Sequence, residues 1–309
     1  MTAAIEFNRV SKTYRRFLGG LRVPALSDVS FRVMPGEICA FLGPNGAGKT
    51  TSISILMGFI YADGGQIRVL GYEPGDIRAK AKIGFVPENF SFYKHLNAEK
   101  LLRFHARIAG VPEDRTNVLI RELVAKVKLN GYENLKIGKY SRGMVQRLGI
   151  AQSLVGDPDL LVMDEPTSGL DPAGRKEVRD VILSLKASGK TIFLSSHLLA
   201  EVEQISDQVV IVNRGNVVRT GAMQQLLTTG DQVEILANGA NEEVQLLLEE
   251  RGASVEALPS GLRIQVAEAN KREVVEKLWA AGFDVLSLRP VKGSLEELYM
   301  TLVGGGGAA

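Results

Sequence analysis

An α/β fold organised by a mixed β-sheet, followed by a smaller α+β domain, is the architecture this sequence predicts, and three observations predict it. Leu160-Leu161-Val162-Met163 and Thr191-Ile192-Phe193-Leu194-Ser195 are continuous apolar runs of the kind that parallel sheets bury on both faces, and a helix over 174–188 separates them. Residues 3–10 and 28–34 instead alternate apolar and polar positions, as half-buried antiparallel strands do. Beyond residue 231 the pattern changes character, to two consecutive β-α-β units.

Taken in order, Pro35-Gly36 turns the chain from the second alternating segment into a short buried strand, Glu37-Ile38-Cys39-Ala40-Phe41-Leu42. Residues 51–57 carry helical apolar spacing, and Gly64-Gly65 precedes a strand over 66–71. Between about 94 and 130 the pattern is helical, with Leu96, Leu101, Leu102, Phe104 and Ile108 as apolar positions. A break at Gly110-Val111-Pro112 then leads to a helix over 118–129. This is a helical insertion, about 89–157, in a strand-rich frame, and strands near 209–212 and 217–219 complete a first domain at 1–225.

The remainder parses as strand 232–236, helix 242–252, strands 253–258 and 261–267, helix 270–281, strand 284–290 and a last amphipathic helix 294–303. That order predicts a ferredoxin-like α+β domain at 231–303, with Leu246, Leu247, Leu248, Val274, Leu278 and Leu298 in a core or an interface. The tail 304–309 has too few side chains to bury anything and reads as disordered.

Composition narrows the class of protein. The chain has 309 residues, 45% of them apolar and 23% charged, an ordinary globular balance with length for about two domains. A net charge of +2 without a dense Lys/Arg tract argues against a nucleic-acid partner. Cys39 is the single cysteine, so no internal disulfide forms, and it reads as a small buried hydrophobe. There is no basic leader with an apolar segment behind it, and no uncharged apolar stretch of about 18 residues. The chain is expected to fold in cytosol and not to span a membrane alone.

Chemistry enters at Gly43-Pro44-Asn45-Gly46-Ala47-Gly48-Lys49-Thr50, a G-x-x-x-x-G-K-T run placed between strand and helix. Glycines let backbone N–H groups turn inward around a polyphosphate, and the helix start adds the positive end of its dipole. Lys49 can reach the β and γ phosphates, the Thr50 hydroxyl can ligate magnesium, and Thr51 follows in the same cradle. The competing reading is a glycine-rich turn that fits the pattern by chance. The apolar strand 160–163 ends in Asp164-Glu165: beside a triphosphate, Asp164 can hold the metal and Glu165 can orient and deprotonate water. Without the loop, the pair would read as an acidic helix cap. His197 follows a buried strand and reads as a γ-phosphate donor or, blandly, as a satisfied core or surface residue; His95 and His105 read as helix-surface residues.

The phosphate loop, Tyr140-Ser141-Arg142-Gly143-Met144-Val145-Gln146-Arg147, Asp164-Glu165, Ser168-Gly169-Leu170-Asp171 and His197 together resemble the ATP-binding subunit of an ABC transporter, over roughly residues 3–222 and in that family's motif order. The resemblance implies a phosphate-loop ATPase with a mixed sheet, an antiparallel subdomain and a helical subdomain. ATP and Mg2+ would be its cofactors, with catalysis resting on Lys49, Glu165 and His197. It also implies that Ser141 and Gly143 contact the γ phosphate held by the opposite copy of a head-to-tail homodimer. Asp171 would then lie at the subunit boundary, and Tyr14 would stack on adenine. Glu88 stands where the family usually has glutamine and joins Thr50 and Asp164 as a metal ligand, while Arg142 departs from the usual glycine and brings a guanidinium near phosphate. Both departures are similar to those of the exporter branch, which implies separate integral membrane permease subunits, a position on the cytoplasmic face of the cell membrane, and a helical insertion that pulls on the partner's helices. A soluble relative acting on DNA or ribosomes is the alternative, weakened by the single cassette and the lack of a basic tract or coiled coil. For the C-terminal domain, ligand sensing and an extended homodimer surface stay open.

Overall fold

The structure, a computed structural model, describes residues 2–15, 22–239, 245, 246, 248, 252–259 and 261–304. The chain divides into two units, 1–223 and 224–309. In the first, the order is β1 (Ile5–Arg15), β2 (Arg22–Val33), β3 (Ile38–Leu42), α1 (Lys49–Leu56), β4 (Gly64–Val69), α2 (Ile77–Lys80), β5 (Ile83–Val86), α3 (Ala98–Ile108), α4 (Glu113–Lys126), α5 (Arg142–Ser153), β6 (Leu160–Met163), α6 (Pro172–Ala187), β7 (Thr191–Ser196), α7 (Leu199–Ile205), β8 (Gln208–Asn213) and β9 (Asn216–Ala222).

β3, β6 and β7 are buried at every position. They lie inside a six-stranded sheet of order β5-β6-β7-β3-β8-β9 in which only the β8–β9 pair is antiparallel. Strands covered on both faces must be apolar throughout, hence the continuous runs in the sequence. Polar residues interrupt that rule only at the two ends of β7, Thr191 at its start and Ser195 and Ser196 at its close, all three buried. β5 has no counterpart in the sequence reading, because a strand of only four residues carries too little periodicity to register.

A second sheet, β2-β1-β4, is antiparallel. β1 and β2 extend well past the alternating segments 3–10 and 28–34, pairing as far as Arg15 with Arg22. Aromatic contacts join this sheet to the parallel one: Phe31 stacks on Phe7 with ring centroids 4.6 Å apart and on Phe193 at 5.8 Å, and Phe193 meets Phe41 at 5.5 Å. Cys39 belongs to the same core, and burial, aided by the Glu37 charge, pushes its thiol pKa far above the usual range.

α3 starts where the Asn97 side chain caps it, accepting from Lys100 N–H at 2.9 Å. Its inward stripe is Ala98, Leu101, Leu102 and Ala106. Phe104 and Ile108, counted with that stripe in the sequence reading, are exposed by 57% and 68%. Two steps past Leu102 is about 200° around the helix, so Phe104 cannot share its face. Arg147, buried on α5, donates to the Val127 carbonyl at 2.9 Å and pairs with Glu177 on α6 at 3.0 Å, tying three helical segments together.

In the second unit, α8 (Met223–Leu227) crosses the boundary, and β10 (Thr228–Asn238), β11 (Ser254–Leu258), β12 (Gly261–Ala267) and β13 (Val285–Lys292) form an antiparallel sheet of order β11-β12-β10-β13. This is the split β-α-β strand order. Val233, Ile235, Ala237, Leu262, Ile264 and Val266 share a core with Leu248 and with Val274 and Leu278 of α9 (Lys271–Ala280). Leu246 is exposed and Leu298 half-buried; Leu247, like most of the expected helix 242–252, lies outside the described residues. α10 (Leu295–Tyr299) opens on a Ser294–Glu297 capping box, then widens into a π-helical turn at Met300–Gly304 instead of staying regular to 303. Of the tail 304–309, residues 305–309 lie outside the described residues.

Phe193 is among the largest fully buried side chains and touches both sheets of the first unit. Phe193→Ala is expected to lower the stability of that unit by about 3–5 kcal/mol, read as a drop in the denaturant midpoint of its unfolding transition.

Candidate nucleotide-binding and catalytic site

The loop between β3 and α1 folds tightly because Gly43 has no side chain: a Cβ there would lie 2.4 Å from the Val212 carbonyl oxygen. Gly48 holds φ of 106° at the N-cap of α1, with no side chain bonded to the helix amides. The first turn of α1 therefore keeps its donors for an anion. Lys49 is 8% exposed, and its ammonium donates to the Gly43 carbonyl at 2.7 Å and lies 3.7 Å from Glu165 Oε1.

The carboxylates come from β6, which β7 separates from β3 in the sheet. Parallel pairing sets Met163 beside Leu194, so Asp164, the first residue past β6, lies level with Ser195 near the end of β7. The buried Ser195 hydroxyl donates to Asp164 Oδ1 at 2.6 Å and accepts the Glu165 N–H at 2.9 Å. Burial raises the Asp164 pKa above the ordinary value; the Ser195 bond opposes this, the Glu165 charge adds to it, and the Lys49 charge opposes it. Glu165 sits in the left-handed region with φ of 48°, uncommon for a residue with a side chain. Its Oε2 is 2.7 Å from His197 Nδ1 and accepts the His197 backbone N–H at 3.3 Å.

These groups share one cavity of about 390 Å3, lined by Pro44, Asn45, Gly46, Gly48, Lys49, Thr50, Thr51, Glu88, Asp164, Glu165 and His197, with Ala25 and Ser168 besides. Gly43 and Ala47 shape the loop from behind the lining: Ala47 is buried and its Cβ would lie 2.9 Å from one built on Gly43. Among the described residues no group of three or more His, Cys, Asp or Glu could hold a metal by itself. That suits magnesium, which is held by one or two carboxylates plus substrate phosphates and water. Thr50, Glu88 and Asp164 are the oxygen donors present for it.

Other expected residues stand apart from this cavity. Tyr14, near the end of β1, is 44% exposed, with the Lys12 ammonium 6.0 Å from its ring centroid; of the insertion 15–23, residues 16–21 lie outside the described residues. Ser141 is the exposed N-cap of α5, accepting from Met144 N–H at 3.2 Å, and Asp171 caps α6, accepting from Gly174 N–H at 3.0 Å. The two helices begin in contact, since a Cβ on Gly143 would lie 3.5 Å from the Gly174 α-carbon. The Arg142 guanidinium packs on Gly169, where a Cβ would lie 2.3 Å from Nη1. His105 is not a plain helix-surface residue: it is half-buried, lines an apolar groove with Phe85, Phe90, Phe92, Tyr93 and Phe104, and burial lowers its pKa. His95 is exposed, in the turn ahead of α3 and not on a helix, its ring 5.8 Å from that of Tyr93.

Sequence reasoning missed Ala25 and Ser195. A signal for Ser195 existed: a polar residue near the end of an apolar strand, two positions before His197.

A phosphate cradle with a lysine across its mouth and two carboxylates at the tip of another parallel strand of the same sheet defines an ATP hydrolase of the phosphate-loop class. The sequence profile of the family described as ABC transporter matches residues 26–168. An uncharacterized ABC transporter ATP-binding protein of Synechocystis sp. is 40% identical over 77% of this chain and 68% of its own length. The bacitracin transport ATP-binding protein BcrA of Bacillus licheniformis is 35% identical over 91% of this chain and 93% of its own. A solved ATP-binding subunit of an ABC transporter superposes with a TM-score of 0.62 at 30% identity, covering 73% of this chain and 92% of that one. The chain belongs to the ABC transporter ATP-binding family and is an ATPase subunit of that class. Among the described residues no helix is long and apolar enough to cross a membrane.

Gly43→Ala would drive a methyl group into the Val212 carbonyl and shift the loop that carries Lys49. ATP turnover is expected to fall on the order of a hundredfold with the fold retained, checked by steady-state ATPase assay beside circular dichroism.

Proposed function

We propose that two copies of this chain close head to tail on two ATP molecules and power export through separate integral membrane subunits, at the cytoplasmic face of the cell membrane. One observation carries the dimer: Lys49, Asp164, Glu165 and His197 line a single cavity, whereas Ser141, at the start of α5, is exposed and away from it. An exposed helix start capped by a serine can cradle an anion, and in this reading a second copy supplies the phosphate. Gly143, Asp171 and the Arg142–Gly169 contact lie at that same surface in this reading. Tyr14 would stack on the adenine. Support for transport comes from the relative named for bacitracin transport, and support for export from Glu88 and Arg142, which resemble the exporter branch.

In this mechanism the Lys49 ammonium offsets phosphate charge from inside the loop. Thr50, Asp164 and Glu88 would hold magnesium, which would supply positive charge to offset that of the phosphates. Glu165 orients and deprotonates the attacking water while His197 fixes its other oxygen and offers a donor toward the γ phosphate. The groove beside α3, with exposed Tyr93 and Phe104 on its walls, is where a helix of the membrane subunit would seat, so that motion of segment 89–157 reaches the membrane. The catalytic domain in this proposal is 1–225; 231–303 is an appended α+β domain.

Glu165→Gln keeps the side-chain shape but removes the base; turnover is expected to fall at least about a hundredfold and the ATP-loaded protein to elute as a stable dimer in size-exclusion chromatography. A variant that stays monomeric with ATP and magnesium refutes the head-to-tail arrangement. Lys49→Ala is expected to reduce ATPase activity by about a hundredfold or more, and near-normal turnover would show that the loop is not catalytic.

A further inference from the structure

Of the groups in and around the cavity, Ser195 alone contacts both acids and has no role in the mechanism above. It is completely buried, on the strand adjacent to the one that carries Asp164 and Glu165. Its two preceding neighbours, Phe193 and Leu194, are apolar and equally inaccessible, and the strand would accept valine or alanine there on packing grounds. A hydroxyl in such a place is costly unless both its proton and its lone pairs are used.

They are used in opposite senses. The Glu165 N–H donates into Ser195 Oγ at 2.9 Å. A hydroxyl carries one proton, and here it points to Asp164 Oδ1 across 2.6 Å, a length typical of O–H donating to a carboxylate. One Asp164 oxygen is thereby fixed against the sheet, leaving the other for the cavity. On the Glu165 side, the N–H is held by Ser195 and the carbonyl accepts from Ser168 N–H at 3.1 Å, which together clamp a residue whose φ is 48°. Ser195 near the end of β7 and His197 just past it both reach Glu165, the first at its backbone N–H and the second at its carboxylate. Ser196 faces the other way, its hydroxyl accepting from Leu198 N–H at 3.0 Å.

We infer that Ser195 is a positioning residue for ATP hydrolysis: one buried hydroxyl sets the orientation of the metal-holding Asp164 carboxylate and, at the same time, the backbone turn that aims Glu165. The inference rests on the ATPase reading above and adds to it a residue that governs both acids without touching nucleotide.

The test compares Ser195→Ala with Ser195→Thr, which keeps the hydroxyl on a strand position suited to a β-branched residue. Steady-state kinetics are read beside Mn2+ binding to the ATP-loaded protein by electron paramagnetic resonance, and beside binding of a fluorescent ATP analogue without metal. Ser195→Ala is expected to lower kcat by about tenfold or more and to weaken Mn2+ binding by about tenfold, the effect of losing a hydrogen-bond partner of a metal ligand. KM for ATP and metal-free nucleotide binding stay near the wild-type values, and Ser195→Thr recovers most of both losses. The inference is overturned if Ser195→Ala matches wild type in kcat and Mn2+ binding, if its loss lies in KM and metal-free binding, or if the threonine variant is as defective as the alanine. Should Ser195→Ala fail to fold, Ser195→Cys, of similar volume but a weak donor, takes its place under the same criteria. A wild-type protein that does not hydrolyse ATP counts against the ATPase reading alone, since the Mn2+ measurement needs no turnover.

Discussion

Parallel pairing of β3 with β7, and of β7 with β6, forces the C-terminal ends of three strands to the same edge of one sheet, and everything chemical in the first unit follows from that edge. β3 delivers the phosphate loop, β6 delivers Asp164 and Glu165, and β7 delivers Ser195 and His197. β3 and β6 are apolar throughout, and in β7 polar side chains stand only at the ends, so no carboxylate appears until the chain has passed the strand. Slipping β6 by one residue against β7 would bury a carboxylate without a partner, a far larger penalty than any lost packing, so the hydrophobic register and the catalytic geometry select the same alignment.

Much of this was legible from residues alone where the information is local. The phosphate loop depends on glycines and one lysine within a few positions, and Gly43 and Gly48 owe their identity to contacts and φ values that only glycine satisfies. Asp164-Glu165 announced itself because charge at the end of an apolar run needs a reason. Ser195 did not, because its partners stand thirty and thirty-one positions away and become neighbours only through strand register. β5 was invisible for its shortness, and α3 was misread at Phe104 and Ile108 because the count of apolar residues outran the face they occupy. In the second unit the alternation Val233, Ile235, Ala237 against Leu262, Ile264, Val266 is regular enough to specify strands, whereas the widened turn after Tyr299 has no marker in composition.

Between the two halves of the proposed machinery the first unit is stiff. α5 and α6 begin at a glycine-to-glycine contact, are capped by Ser141 and Asp171, and are tied again by Arg147 to Glu177 and, from the α4 end, by Lys128 to Asp180 at 2.8 Å. Displacement at one helix start therefore reaches the other without passing through a loop. Exposed ion pairs such as Lys128–Asp180 add little stability, but the buried Arg147, bonded to backbone carbonyls as well, cannot be released cheaply.

Cys39 lies in β3, only four residues ahead of the phosphate loop, wholly enclosed and with its proton held tightly by burial. Oxidants and alkylating reagents meet no reactive sulfhydryl on the native surface, so modification must wait for the central sheet to open. As the chain's solitary sulfur of this kind, it makes the labelling rate a built-in clock for how often the scaffold beneath the nucleotide comes apart, without any foreign probe.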